Sequence, residues 1–335
     1  MATETDRSAW DAYAASHPQA SGYHVWSWRH VFVESFGHEC VYLIARRAGR
    51  TVGILPLVHI NSLLFGRTVT SLPFVNYGGV VADSLDEARA LVNQAAELAR
   101  TRRCRYVEFR HTVRRFGDLP CKQHKVVMRM GLSADLWERL DRKVRNQIRK
   151  AEKSQLTVSR GKSELLPEFY DVFARNMRDL GTPVYARTFF TEVLKAFPDR
   201  THVLVVRLGD RPVASGLTYR SGDMVEIPWA SSVREYNSLC PNHLLYWQAL
   251  QSAVAEGCTT FDFGRSTPNE GTYKFKEQWG ALPMPLHWEY CLLRSEQLPD
   301  QSPKNPKFRL AIQIWKRLPL WLTKIIGPFV VRSIP

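Results

Sequence analysis

The chain has no C-x-x-C pair. Its six cysteines, Cys40, Cys104, Cys121, Cys240, Cys258 and Cys291, lie far apart, so neither a zinc site nor a disulfide framework is indicated, and scattered thiols suit a reducing cytoplasm. It also lacks any uncharged apolar run of about 18 residues, and its start, Met-Ala-Thr-Glu-Thr-Asp-Arg, is not basic and then apolar, so neither membrane spanning nor export is expected. Acids are missing altogether after Asp300. What is present is ordinary for a folded chain: 44% hydrophobic, 11% aromatic and 23% charged residues over 335 positions, enough for roughly two domains.

The net charge is +14, and it is clustered. Residues 100–115 carry seven arginines against Glu108, and residues 139–153 carry seven bases against Asp141 and Glu152. The tail after Asp300 adds Lys304, Lys307, Arg309, Lys316, Arg317, Lys324 and Arg332. Local clusters make fields that an even scatter does not, so an anionic partner is expected: nucleic acid, a nucleotide-linked substrate or an anionic membrane surface. Solvated basic faces are the alternative.

Periodicity predicts one helical stretch over 8–36, with Gly37 as its stop, followed by a hairpin of strands 40–46 and 52–64 around Ala-Gly-Arg and a short strand near 69–72. A helix over 86–100 has Ser84 as its cap, and strands follow at 105–110 and 125–130. A helix over 133–154 then opens a second pass. Helices at 165–180 and 189–197 lead into strands at 202–208, 212–219 and 224–229, a helix at 242–256, a strand at 259–263, a short helix at 271–279 and a strand at 286–293. The repeated order predicts an α+β protein of two domains, residues 1–155 and 156–298, each a mixed sheet flanked by helices, followed by a basic amphipathic tail over 299–335. That order is the one expected of the GNAT acyltransferase fold. The tail interleaves Phe308, Ile312, Trp315, Leu318, Trp321 and Leu322 with bases; it either lies in a bilayer interface or packs back as a helix pair.

The chemistry is concentrated in Phe261-Asp262-Phe263-Gly264-Arg265-Ser266 and Gly271-Thr272-Tyr273-Lys274-Phe275-Lys276-Glu277-Gln278-Trp279-Gly280. Alternation sets Asp262 opposite Phe261 and Phe263, and Arg265 and Ser266 project from the strand end. Phe275 and Trp279 share a helix face, which makes Lys276 either a desolvated cation aimed at a developing oxyanion or a surface lysine. Glu226, on the preceding strand, is either a base for an attacking amine or a solvated carboxylate. Asn242 and His243 open a helix whose free N–H groups suit an anion, with Asn242 equally a plain cap. Val144, Ile148 and Ala151 predict an inward helix face, leaving Arg145 and Arg149 to meet phosphates. Asn76, Tyr77, Gly78 and Gly79 form a turn that either lines a cleft or is a simple hairpin. No metal spacing is visible around His243 or His287.

Residues 260–280 resemble the signature of the FemAB-like aminoacyl/acyltransferase family, with Asp262, Phe263, Gly264, Gly271, Tyr273, Phe275, Lys276, Trp279 and Gly280 matching. The segments 72–79, 145–153, 229–232 and 241–247 also resemble that family, most closely its branch associated with exosortase (PEP-CTERM) exopolysaccharide clusters. The resemblance implies two GNAT-like domains and transfer of an acyl or aminoacyl group to an amine of a cell-envelope or exopolysaccharide precursor. It makes Lys276 the transition-state cation; the residues around it add Tyr273 as a proton donor and Glu226 as a base to the same reading. Asn242, His243, Arg265, Ser266 and Phe275 would take the donor, and Asn76, Tyr77, Arg145 and Arg149 the nucleotide- or lipid-linked acceptor. No coiled-coil arm for tRNA is visible and Trp279 replaces the usual phenylalanine, so acyl-CoA stands beside aminoacyl-tRNA as co-substrate, with no tightly bound cofactor. The implied location is cytoplasmic, at the inner membrane face. A non-catalytic RNA- or membrane-binding protein on the same scaffold is the rival reading.

Overall fold

Period-two alternation and turn chemistry build two seven-stranded sheets in the computed structural model, which describes residues 1–62, 65–294, 297–299 and 306–334. In chain order the elements are α1 (Arg7–Ser16), α2 (Ser27–Phe36), β1 (Glu39–Arg47), β2 (Arg50–Ser62), β3 (Gly66–Thr70), β4 (Val81–Ala82), α3 (Leu85–Thr101), β5 (Tyr106–His111), β6 (Cys121–Lys122) and β7 (Val126–Gly131). Then come α4 (Leu136–Arg139), α5 (Arg142–Lys153), β8 (Leu156–Gly161), α6 (Leu166–Leu180), α7 (Arg187–Ala196), β9 (Thr201–Leu208), β10 (Arg211–Ser221), β11 (Met224–Ser232) and α8 (Pro241–Ala255). The chain ends with β12 (Thr260–Ser266), α9 (Gly271–Glu277), β13 (Leu282–Pro285), β14 (His287–Leu292), α10 (Pro306–Arg317) and α11 (Leu320–Val331).

Two compact units result. The first comprises Met1–His124, Pro285–Gln301 and Val330–Pro335; the second comprises Lys125–Met284 and Ser302–Phe329. The first sheet runs β1-β2-β3-β5-β14-β6 with β4 on β2, and the second runs β13-β7-β12-β11-β10-β9-β8. A boundary at residue 155 is therefore corrected. Residues 125–155 belong to the second unit because β7 pairs antiparallel with β12, and β14 belongs to the first because it pairs with β5. Both pairings are far apart in sequence, so element order alone does not reveal them.

Local details follow from single residues. The stretch over 8–36 is two helices, because Pro18 disfavours helical backbone at His17, which is extended at ψ 124. The expected helix over 133–154 breaks at Leu140, and Asp141 starts α5 by accepting from the Lys143 N–H at 2.6 Å. Gly37 ends α2 with a left-handed φ of 65. Val144, Ile148 and Ala151 are buried against α8 and the second sheet, as the periodicity predicted. Lys304 and the Lys307 side chain lie outside the described residues.

In the first unit, β3 and β5 are parallel neighbours only at Val69↔Val107 and Thr70↔Glu108. Beyond that point the chain itself covers the edge of β5. Ser71 N–H donates to Glu108 O at 2.8 Å, Arg110 N–H to Ser71 Oγ at 2.8 Å, and Gly78 N–H to Arg110 O at 3.1 Å. The positive φ values fall on Leu72 (50) and Phe74 (70), not on the glycines. Gly78 and Gly79 serve close approach instead: a Cβ on Gly79 would stand 2.1 Å from the His111 ring. The hairpin explanation of these glycines is therefore corrected, and the Asn76 and Tyr77 side chains are buried.

Two imidazoles clamp the peptide between Gly79 and Val80. His24 Nε2 donates to Gly79 O at 2.9 Å while its Nδ1 accepts from Ser21 N–H at 3.0 Å. His111 Nε2 accepts from Val80 N–H at 3.1 Å, and its Nδ1 faces Glu289 Oε2 at 2.7 Å. Both rings must be neutral to do this. Burial pushes His24 down to about 4 from 6.5. Between those values the unfolded chain holds the extra proton, so stability rises with pH across the window and is lost as pH falls through it. Denaturant titrations at about pH 7 and about pH 4.5 are expected to differ by roughly 3 kcal/mol less in His24→Gln than in the parent.

Candidate active site

The second sheet opens where β11 and β12 part. These parallel strands pair at Met224↔Thr260, Val225↔Phe261 and Glu226↔Asp262, after which β11 continues to Ser232 and β12 to Ser266 without further pairing between them. A fork of this kind leaves main-chain N–H and C=O groups facing a gap that a ligand can enter. Glu226 and Asp262 stand at its crotch.

Gly264 shapes one prong. It takes a left-handed φ of 75 where the β12–β7 register shifts between Asp262 and Arg265, a bulge that only glycine adopts at low cost. The strand expected over 259–263 therefore continues through Arg265 and Ser266. The bulge brings two successive carbonyls to one ammonium: Lys276 Nζ donates to Gly264 O and to Arg265 O, each at 3.0 Å. Lys276 is 7% exposed, which excludes the surface-lysine reading. A lysine has three N–H donors, so one remains beyond these two carbonyls.

Beneath it lies a row of charge. Register aligns Glu226, Asp262 and Arg129 across β11, β12 and β7. Asp262 is fully buried, takes Arg129 Nε on one oxygen at 2.8 Å and accepts from Gly264 N–H on the other at 2.8 Å. Burial holds its carboxyl above the ordinary value, with Arg129 and the Gly264 N–H pulling the other way. Burial pushes Lys276 down to about 8, with the Asp262 and Glu226 carboxylates opposing. Glu226 is 2% exposed, so it is not a solvated strand carboxylate.

The opposite face of β12 is apolar, as alternation predicted. Phe261 and Phe263 join the core with α5 and α8. Phe275 and Trp279 pack against His243 and Tyr246, with ring centroids 5.2 Å apart for His243–Phe275 and 5.9 Å for His243–Trp279. Burial, with a smaller push from Lys143, drives His243 down to about 4, so the ring is neutral. His243 and Phe275 thus support the site from behind, and Tyr273 packs against the same core one turn before Lys276.

At the far end of β11, Asn242 is not the cap of α8. That position is Cys240, with a left-handed φ of 61. Asn242 Nδ2 instead donates to Ser232 Oγ at 3.0 Å, and its Oδ1 is buried without a hydrogen-bond partner, as is Ser266 Oγ on the other prong. Arg265 is half-buried. On α5, Arg145 is half-buried, and exposed Arg149 lies over the Trp137 ring at 5.4 Å, with Trp137 in turn 5.0 Å from Trp247. Asn76 and Tyr77 belong to the first unit and Arg145 and Arg149 to the second. Sequence reasoning passed over Arg129. Its signal is a lone charge in the apolar strand Val126-Val127-Met128-Arg129-Met130.

Residues 138–277 match the acetyltransferase (GNAT) domain family. The chain is similar in structure to FemX, with a TM-score of 0.67 at 15% identity over 93% of this chain and 99% of that one. It is also similar to a tandem GNAT protein from the clavulanic acid biosynthesis pathway, with a TM-score of 0.55 at 12% identity over 84% and 91%. L-PGS from Bacillus licheniformis gives a TM-score of 0.51 at 13% identity over 80% and 87%. No curated protein matches the chain in sequence.

Arg129 offsets part of the cost of burying Asp262, and removing one partner of such a pair strands the other. Arg129→Ala is expected to lower unfolding stability by about 3 kcal/mol, read from the denaturant midpoint, while Arg149→Ala on the exposed face changes it by less than about 0.5 kcal/mol.

Proposed function

We propose that this chain, which matches the acetyltransferase (GNAT) domain family over residues 138–277 and is similar in fold to FemX, is an acyltransferase that moves an acyl group from an acyl-CoA thioester to the amine of a cell-envelope or exopolysaccharide precursor. The observation that carries the proposal is the fork between β11 and β12 with the Lys276 ammonium inside it. The β11 edge beyond Glu226 has no β12 partner, and such an edge suits a donor whose arm is a string of amides, because an amide can extend an interrupted ladder. The half-buried Arg265 and the α8 N-terminus beside Asn242 would meet its phosphates.

The acceptor amine attacks the thioester carbonyl, a C–N bond forms, and the tetrahedral intermediate collapses with cleavage of C–S. Lys276 has one N–H left to stabilise the oxyanion, and its two carbonyl contacts fix that N–H in place. Glu226, at the crotch of the fork, takes the proton that the amine sheds, and Tyr273 returns one to the departing thiolate. Arg145 and Arg149 of α5 are the acceptor side of the proposal, suited to the diphosphate of a nucleotide- or lipid-linked substrate. A lipid-linked acceptor would place the reaction at the inner membrane face.

The contrast between the units supports this assignment. In the first, residues 71–80 occupy the edge of β5 beyond the parallel pairing; in the second, β11 and β12 part after Glu226↔Asp262 with no strand between them. Aminoacyl-tRNA is the alternative donor, and mass spectrometry of molecules retained by the purified protein separates the two.

With the donor identified, Lys276→Met is expected to lower kcat by about 100- to 1,000-fold with little change in KM, in protein whose circular dichroism is unchanged. A loss below about tenfold removes Lys276 from catalysis. Because the ammonium is the active form, kcat is expected to fall as pH rises through about 8, and Lys276→Arg, which stays charged, should retain its residual activity across that range.

A further inference from the structure

The C-terminal helices are packed inside out. Thr323 is 1% exposed, Lys324 pairs with Asp171, and Gly327 lies so close to Val184 that a Cβ there would stand 2.9 Å from its backbone nitrogen. These small and polar residues of α11 face the second unit. Ile312 of α10 holds the other arm of the hairpin at the end of α6, where a Cβ on Gly181 would approach it to 2.5 Å. The outward face of α11 is Trp321, Ile325 and Phe329 at i, i+4 and i+8, with Ile326 beside them; Trp321 is 63% and Phe329 68% exposed. On α10, Leu310 (67%) and Ile314 repeat the pattern one turn apart.

Scattered apolar residues on a surface need no explanation, but helical stripes of large ones do. A helix normally turns its apolar stripe to the core. Here docking uses the polar side of α11 and leaves the stripe outside, so the helices pack back, as one reading of the tail expected, but with their apolar face outward. Charge selects the occupant. Arg309, Lys316 and Arg317 are exposed on α10, and no acid occurs after Asp300. Among the described residues, no helix is long and apolar enough to cross a membrane. Trp and Phe beside Lys and Arg on a short helix suit the zone between headgroups and acyl chains.

We propose that the α10–α11 hairpin is a preformed docking surface for an anionic bilayer, with Trp321, Ile325, Ile326 and Phe329 entering the interface and the α10 bases meeting lipid phosphates. This goes beyond the transfer reaction and does not depend on its donor.

The test is co-sedimentation of the full chain with vesicles of phosphatidylglycerol and phosphatidylcholine, against phosphatidylcholine alone. Partition onto the anionic vesicles is expected to be at least about tenfold the stronger and to weaken with salt. Trp321→Ser with Phe329→Ser should reduce it at least about tenfold at unchanged thermal stability, since both side chains are exposed. Arg309→Gln with Lys316→Gln and Arg317→Gln should reduce it on anionic vesicles alone. Absence of sedimentation, or a Trp321→Ser/Phe329→Ser protein that binds like the parent, overturns the proposal. So does a doubled mass in sedimentation velocity that the same double substitution abolishes, because the face would then be covered by a second copy of the chain.

Discussion

Opening a sheet between two parallel strands inside a folded unit creates an obligation that much of the second unit discharges. Buried main-chain groups left without partners cost about 1–3 kcal/mol each, so the fork persists only if something satisfies them. On β12, the Asp262 carboxylate takes the Gly264 N–H, and Lys276 takes the carbonyls of Gly264 and Arg265. A buried ammonium then needs negative charge nearby, which Asp262 and Glu226 supply. A buried Asp262 in turn needs Arg129. The cluster is thus first a consequence of the gap, and the proposed chemistry would be a second use of charges the architecture already requires.

The first unit meets the same obligation differently. Glu108 occupies the position that Asp262 holds in the second, at the end of the parallel pairing, and it too is buried against an arginine, Arg110, at 2.6 Å. Tyr290 Oη donates to its other oxygen at 2.9 Å. There the gap is filled from within, by residues 71–80 and the imidazole clamp on the Gly79–Val80 peptide. Two units of similar design therefore diverge at one feature, the covering of the edge beside the buried acid, which residues 71–80 provide in the first.

Much of this was legible in the sequence, and the failures have common causes. The α+β class, the Ser84-started helix, the inward face of α5 and the Phe261/Phe263 alternation are short-range patterns, and all are present. The strands β7 and β14 were placed with the wrong unit because strand partnership is non-local and a hydrophobic period carries no address. Two helices were drawn too long because single breakers, Pro18 and the Leu140–Asp141 corner, were outweighed by the apolar spacing around them. At the site, the motif located Lys276, but its depth depends on the Gly264 bulge. That bulge turns the carbonyls toward it, and its left-handed backbone is not visible in a string of residues.

The polarity of the C-terminal hairpin shows why depth is the hardest property to read. The spacing of Trp321, Ile325 and Phe329 marks one face of a helix without saying which way it points, and the customary inference turns it inward. What reverses the inference is the other side. Gly327 permits backbone contact with Val184 that any side chain would block, and the Lys324–Asp171 pair fixes the same face to α6. Small and polar residues thus set the orientation, and the apolar stripe is outside because the inner seat was already taken.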